Sequence, residues 1–277
     1  FQFHFFPLTL GELFCEKIGS RTREKDIMKL PEPDNEEIFT AWETMFNVSS
    51  FPEPYLKGQK VFYRRWAQTY HRQIIREDIR DALFTKRIDE IETLYSLLIP
   101  RVGSLLSASS LSGQLKVSHN TISSWLRLFE NLDLIFRVKP YNRKISRSIL
   151  KEPKFYFYET GQLEGEGKRF ENLVGIELKR AVTLWTDYGL GTFDLRFLRN
   201  KDQQEVDFLV TRDETPFFLV EAKLEDTTVS TSLKKFQSFL KIPAIHLVNR
   251  KGINRIVRNE DNKILITTAA PWLATLG

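Results

Sequence analysis

The sequence predicts an α+β or α/β protein in which a helical part precedes a mixed β-sheet flanked by helices. Three observations lead to this prediction. Apolar residues recur every three to four positions in the first half of the chain, and two short helical patterns enclose a tight turn near its middle. Beyond residue 153, short apolar strands alternate with helical segments. Such an alternation is typical of layered folds in which helices cover a sheet.

The composition is that of a globular protein. Of the 277 residues, 42% are hydrophobic and 28% are charged, which excludes disordered, collagen-like and coiled-coil chains. One cysteine and four scattered histidines exclude a disulfide framework and argue against structural zinc. The chain has no secretion signal and no apolar run of the ~20 residues that a membrane span needs, so we expect a cytoplasmic protein without a membrane partner.

Three segments are expected. Residues 1–56 begin in an aromatic, strand-like run without an initiator methionine and then become rich in charge and proline, which suggests a fragment of a longer protein. Residues 57–150 form a helical domain, and its clearest helix is the run VFYRRWAQTYHRQIIREDIRDAL. Residues 151–277 form the sheet domain. The arginines on the outer face of that helix are expected to be a solvated surface.

A winged helix-turn-helix is predicted within the second segment. Ser118 or Asn120 can cap a helix that follows the turn VSHN, and the strand-like LIFRVKPY comes after that helix. Thr121, Ser124 and Arg127 fall on the exposed face of the helix, where they can reach the bases or phosphates of DNA. The alternative is that the unit serves only for packing or for contact with a protein.

The segment after this helix is strongly basic. Between Arg137 and Lys154 there are seven basic residues and one acidic residue. A wing in this position would meet backbone phosphates, so Arg143, Lys144 and Arg147 are further candidates for DNA contact.

Four charged residues of the third segment are candidates for chemistry. Glu171 falls on a predicted helix, Asp207 in the strand EVDFLV, and Glu221 and Lys223 in the apolar strand LVEAKL. Positions two apart on a strand share a face, so Glu221 and Lys223 point the same way. Buried charges are costly unless they are paired or bind a metal, and carboxylates suit Mg²⁺ or Mn²⁺. The alternative is a surface ion pair at a sheet edge.

Another Glu-x-Lys triplet, Glu152 to Lys154, also occurs. Because it contains a proline and precedes a strand, we do not expect it to share the buried strand setting of Glu221.

The motifs PKFYFYETG, FENLVGIEL, EVDFLV and LVEAKL, in this order, resemble the PD-(D/E)XK nuclease-like domain that ends many prokaryotic AAA ATPases, known as domain of unknown function 4143. Upstream, YHRQIIREDI resembles the segment that joins ATPase to tail, and SASSLSGQLKVSHNTISSWLRLFENLDLI resembles the winged-helix part of the same proteins. FPLTLGE, at residues 6–12, resembles the last strand and the following turn of the ATPase module. The first 56 residues would then be a remnant of that module and its linker.

The resemblance implies a restriction-endonuclease-like sheet. It also implies that Glu171, Asp207 and Glu221 bind Mg²⁺ or Mn²⁺ and that Lys223 joins them in water activation. Glu159 stands where the family usually has aspartate, and this difference preserves a carboxylate at the position. The insertion-like QLEGEGKR before Phe170 can displace the start of the helix that carries Glu171.

Two functions follow as hypotheses. The first is a Mg²⁺-dependent DNA endonuclease with a winged-helix DNA-binding part. The second is a non-catalytic regulatory tail that binds DNA or a protein, such as an ATPase module. The residues contain no G-x-x-x-x-G-K-[ST] motif, so we expect no nucleotide binding and no ATPase activity from this chain.

Overall fold

The computed structural model describes residues 6–15, 21, 24–31, 35–79, 87–141, 152–260 and 262–277. Its helices are α1 (Leu10–Phe14), α2 (Glu24–Ile27), α3 (Glu36–Asn47), α4 (Pro52–Lys57), α5 (Lys60–Arg72), α6 (Ile88–Leu98), α7 (Ala108–Leu115), α8 (His119–Asn131), α9 (Glu166–Asp187), α10 (Thr231–Leu240) and α11 (Ala269–Leu273). Its strands are β1 (Ile135–Pro140), β2 (Lys154–Phe157), β3 (Phe193–Arg199), β4 (Glu205–Arg212), β5 (Thr215–Lys223), β6 (Ala244–Val248), β7 (Asn254–Asn259) and β8 (Asn262–Thr268). The expected mixed α/β architecture is confirmed.

Within the described residues, the strands form one sheet in the order β2-β1-β3-β4-β5-β6-β8-β7. Parallel pairs (β1 with β3, β5 with β6, β6 with β8) occur beside antiparallel ones. LVEAKL lies in β5, in the interior of the sheet, as its apolar character predicts. β5 therefore has neighbours on both sides, and any charged side chain on it must find partners nearby.

Helices cover both faces of the sheet. The helix α9 buries Leu173, Ile176 and Trp185 against one face. Gly175 lets this helix approach closely, because a Cβ atom there would lie 3.1 Å from the ring of Phe208. On the opposite face, Leu233 of α10 belongs to a second core with residues of β4, β5, β6 and β8. Burial from two sides explains why the central strands are apolar along most of their length.

The opening segment differs from the strand that we expected there. Residues 1–5 lie outside the described residues, and Phe6–Thr9 have no strand pairing among those that are described. Thr9 instead caps α1, since its side chain accepts a hydrogen bond from the backbone N–H of Glu12. Glu177 of α9 also accepts one from the Leu10 N–H at 2.7 Å, and these bonds satisfy first-turn donors of the short helix.

The helix predicted from VFYRRWAQTYHRQIIREDIRDAL is confirmed in its first part as α5, and residues 80–83, at its end, lie outside the described residues. The backbone then continues as a π-helix, Gln73–Asp78. Ile75 and Ile79 are buried at this point, so the wider turn still presents an apolar face to the core.

Two helices and two strands stand where the helix-turn-helix and its wing are predicted. Ser118 caps α8, as expected, by accepting a hydrogen bond from the Thr121 N–H. The face of α8 that carries Trp125 and Phe129 is buried. β1 and β2 pair antiparallel, with Ile135 opposite Phe157, and they form one edge of the large sheet. The wing itself stays a prediction, because residues 142–151, between the two strands, lie outside the described residues.

Among the residues that the structure describes, no helix is both long enough and apolar enough to cross a membrane.

Candidate functional site

Asp207, Glu221 and Lys223 come together on the hairpin of β4 and β5. Phe208 pairs with Val220, so the next position along each strand brings Asp207 opposite Glu221. The Lys223 Nζ atom lies 3.6 Å from Asp207 Oδ2 and 3.9 Å from Glu221 Oε1. The prediction that Glu221 and Lys223 share a face is therefore confirmed.

Asp207 lies at a β-bulge between β3 and β4. Arg196 pairs with Leu209 and Leu198 pairs with Val206, so two residues of β4, Asp207 and Phe208, face a single residue of β3. A bulge redirects the side chain that it carries. Here the Asp207 carboxylate turns toward β5 and accepts a hydrogen bond from the Ala222 N–H at 2.9 Å.

Helix α9 adds a third carboxylate. Tyr156 Oη donates a hydrogen bond of 2.7 Å to Glu171 Oε1, and Lys154 Nζ lies 3.6 Å from the same oxygen. Burial and the negative charge of Asp207 raise the pKa of Glu171 to about 7, against the opposing effect of Lys154. Glu171 is therefore within electrostatic reach of Asp207, and its proton is poised to leave near neutral pH.

Lys154 lies in a buried strand, contrary to the expectation from its sequence. The triplet that ends in Lys154 was expected to lack a buried strand setting, yet Lys154 begins β2 and its side chain is only 3% exposed. Its ammonium forms an ion pair of 2.6 Å with Glu205 and lies 5.5 Å from the centre of the Phe197 ring. Burial lowers the pKa of Lys154, but the nearby carboxylates raise it above its usual value overall, so the amine stays charged.

The seven residues Lys154, Tyr156, Glu171, Glu205, Asp207, Glu221 and Lys223 are called the acidic cluster below. It contains four carboxylates and two amines, taken from β2, α9, β4 and β5. Burial lowers the pKa of Lys223, but the carboxylates raise it overall. Lys223 is also the more accessible amine, since its side chain is 40% exposed.

Glu221 is held by a buried hydrogen-bond network. Ser230 Oγ donates to Glu221 Oε1 at 2.6 Å, and His246 Nδ1 lies 3.1 Å from Oε2. His246 Nε2 lies 2.7 Å from the backbone oxygen of Asp226, so both ring nitrogens have a polar partner. Burial raises the pKa of Glu221, but its hydrogen bonds to His246 and Ser230 and the charge of Lys223 lower it overall. Glu221 therefore stays ionised although its side chain is only 3% exposed.

The carboxylates of the acidic cluster supply some, but not all, of the oxygen ligands that a hard divalent cation needs. In the portion of the chain that is described, no three acidic, histidine or cysteine side chains are close enough together to hold a metal ion by themselves. Mg²⁺ at phosphate sites commonly takes only one or two carboxylates, with water and substrate oxygens completing its shell. Asp207 and Glu221 supply such a pair, and Glu171 lies beside it.

The predicted nucleic-acid residues lie on other elements. Thr121 is partly buried on α8 and its hydroxyl lies 2.8 Å from that of the capping Ser118. Ser124 and Arg127 are exposed on the same helix. Arg143, Lys144 and Arg147 lie outside the described residues.

Sequence reasoning missed Lys154, Tyr156, Glu205 and His246. A signal for Glu205 was present, because it precedes Asp207 by two positions in EVD. The other three depend on pairing between segments far apart in the chain, which alternation along one strand does not reveal.

Glu159 takes a structural position rather than one in the acidic cluster. It accepts hydrogen bonds from the Tyr63 hydroxyl at 2.7 Å and from the Gly161 N–H at 2.8 Å. Its carboxylate thus joins α5 to the loop before α9.

Comparison with known proteins gives two family matches. Residues 39–164 match Domain of unknown function (DUF8612). No curated protein and no solved structure matches the chain. Residues 166–270 match Domain of unknown function (DUF4143). In the acidic cluster, Lys154 and Tyr156 lie in the DUF8612 range. Glu171, Asp207, Glu221 and Lys223 lie in the DUF4143 range.

Proposed function

We propose that the protein hydrolyses phosphodiester bonds of DNA with the help of Mg²⁺ or Mn²⁺, at a site of the restriction-endonuclease-like type. The observation that carries this proposal is the convergence of Asp207, Glu221 and Lys223 beside Glu171, in a largely buried setting. Charged groups in a sheet interior reduce stability unless other groups pair with them. Carboxylates whose pKa is shifted by their surroundings are concentrated at functional sites.

Each residue has a role in this proposal. Asp207 and Glu221 would bind the cation, and Glu171 would complete the acidic set. A bound cation would polarise the phosphate and lower the pKa of a coordinated water. Lys223, the accessible amine, would stabilise the negative charge that builds on the phosphate. Because the pKa of Glu171 is about 7, cation binding would be coupled to the loss of its proton.

The test is cleavage of supercoiled plasmid DNA in Mg²⁺ or Mn²⁺. We expect the wild-type protein to nick the plasmid and EDTA to stop the reaction. Asp207→Asn, Glu221→Ala and Lys223→Ala should each reduce the rate by about a hundredfold or more, as loss of a group that stabilises a transition state does. Asp202→Asn is a matched control, because Asp202 is 74% exposed and lies outside the acidic cluster. If wild type and all variants behave alike, catalysis at this site is wrong.

A second candidate is a non-catalytic regulatory tail that binds DNA or a protein such as an ATPase module. One observation favours it: Lys223 already contacts both Asp207 and Glu221, so the carboxylates are neutralised from within the chain. In this role the helix pair α7 and α8, with β1 and β2, would act as a winged helix that meets DNA through Thr121, Ser124 and Arg127. Metal-independent DNA binding without any plasmid cleavage would support this candidate over the first.

A further inference from the structure

A basic cleft lies at the seam between the two family ranges, apart from the acidic cluster. Its volume is about 340 Å³, and α8, β1, α9 and β3 all contribute to it. Its cationic lining residues are Arg127, Arg137, Lys139, Lys179 and Arg196. Two acidic residues, Glu130 and Asp194, also line it.

The cleft lies beside the paired part of β1 and β3. Their described pairing joins Lys139 to Arg196 and Pro140 to Phe197, at one end of β1. Toward the start of each strand the two backbones are no longer paired. Arg137 and Asp194, each two positions before a paired residue of its strand, also line the cleft.

The charge of the cleft is not balanced. Arg137 forms an ion pair with Glu130, and Arg196 forms one of 2.6 Å with Asp194. These pairs use both acids. Three cations remain, and no described residue forms an ion pair with any of them. They are Arg127, Lys139 and Lys179. Like charges gathered in a concave surface repel one another, and bound anions relieve that repulsion.

We propose that this cleft binds successive phosphate groups of a nucleic-acid backbone. The cations come from four elements and line an open groove, an arrangement that suits a chain of phosphates better than one free phosphate ion. Arg137 is held in place by Glu130 and by the Phe155 ring, 5.3 Å from its guanidinium carbon, so its planar donors are fixed before a ligand arrives.

The position of the cleft relates it to the acidic cluster. Lys179 and Glu171 both lie on α9, eight residues apart, which is about 12 Å along the helix axis. That distance corresponds to roughly three or four base pairs of duplex. A bound nucleic-acid backbone is long enough to cover that distance, and the cleft can bind nucleic acid whether or not the cluster cuts it.

The test measures binding of a fluorescent 20-base-pair duplex by anisotropy, in EDTA and over a range of salt concentrations. The triple variant Arg127→Gln, Lys139→Gln, Lys179→Gln should bind about tenfold more weakly or worse, and the slope of log affinity against log salt should fall by about three. A matched control removes the same charge at exposed sites that do not line the cleft: Lys57→Gln, Lys60→Gln, Arg65→Gln. We expect the control to change the slope by less than about one.

Several outcomes would overturn the proposal. The first is an equal loss of duplex affinity in the two triple variants. The others are no duplex binding by wild type, and displacement of the duplex by millimolar inorganic phosphate. Should the triple variant fail to fold by circular dichroism, the single changes Arg127→Gln and Lys139→Gln serve instead, because both residues are exposed. EDTA separates this test from the nuclease proposal: intact binding without cleavage refutes the nuclease alone, and cleavage without an effect of the triple variant refutes the cleft alone.

Discussion

Replacing Glu171 with glutamine should remove a loss of stability that the wild-type protein suffers as the pH rises. Burial and the charge of Asp207 raise the pKa of Glu171 from 4.5 to about 7 in the folded state. The folded protein therefore holds this proton more tightly than the unfolded chain does. The resulting stability is fully present below pH 4.5 and is lost as the pH rises through 7. Glutamine is neutral throughout and still offers Tyr156 an acceptor oxygen.

The magnitude follows from the pKa difference. Each pKa unit corresponds to ~1.4 kcal/mol, so the full shift would contribute about 3 kcal/mol. The Glu171 side chain is 23% exposed, and water screens part of this effect. We therefore expect the difference in unfolding free energy between wild type and Glu171→Gln to change by about 2 kcal/mol between pH 5 and pH 8.

Urea unfolding in EDTA at several pH values measures this difference. Burial also shifts the pKa of His71 to about 4 and that of Glu177 to about 8, but both contributions cancel when the variant is compared with wild type. Glu166→Gln, at the exposed start of the same helix, is the control, and the change for Glu171→Gln should clearly exceed the change for this control. A flat difference for Glu171→Gln would refute the reasoning.

Three further changes test the fold around the site. Burial raises the pKa of Glu177 to about 8, so Glu177→Gln should remove a separate stability loss of roughly 4 kcal/mol between pH 4.5 and 8 in the same urea series, and a pH-independent effect would contradict this. Asn172→Ala breaks two buried 2.8 Å hydrogen bonds to the Phe157 backbone and should lower the unfolding free energy by about 3 kcal/mol; a loss below ~1 kcal/mol would count against it. Gly161→Ala places a Cβ atom 2.5 Å from the Tyr63 ring and should lower the melting temperature by several degrees, on the order of 1–3 kcal/mol, whereas an unchanged melting curve would disprove the close approach.

The chemistry of the central strand could be predicted from sequence because it depends on local periodicity. Glu221 and Lys223 alternate with apolar residues, and this pattern fixes their common face without knowledge of the neighbouring strands. The position of Asp207 could be predicted with one further assumption, that the strand EVDFLV pairs beside the strand LVEAKL. The bulge that turns Asp207 toward β5 is a property of the pairing with β3, so the sequence does not show it.

Lys154 shows where such reasoning fails. Pro153 and the charged residues before it are typical of a loop, and in isolation they argue against a buried strand. The strand is nevertheless buried, because β1 pairs with it on one side and Tyr156 packs beneath α9. Carboxylates from α9 and β4 then stabilise the buried amine, and this compensation comes from residues that are distant in sequence.

Calorimetric titration with Mn²⁺ at neutral pH shows whether the carboxylates of the acidic cluster act together on one cation. We expect one Mn²⁺ site whose occupation releases protons, since Glu171 is partly protonated at this pH. Asp207→Asn and Glu221→Ala should abolish the binding heat, and Asp202→Asn should leave it unchanged. Mn²⁺ binding that persists in the first two variants, or no binding by wild type, would show that Asp207 and Glu221 do not form a cation site.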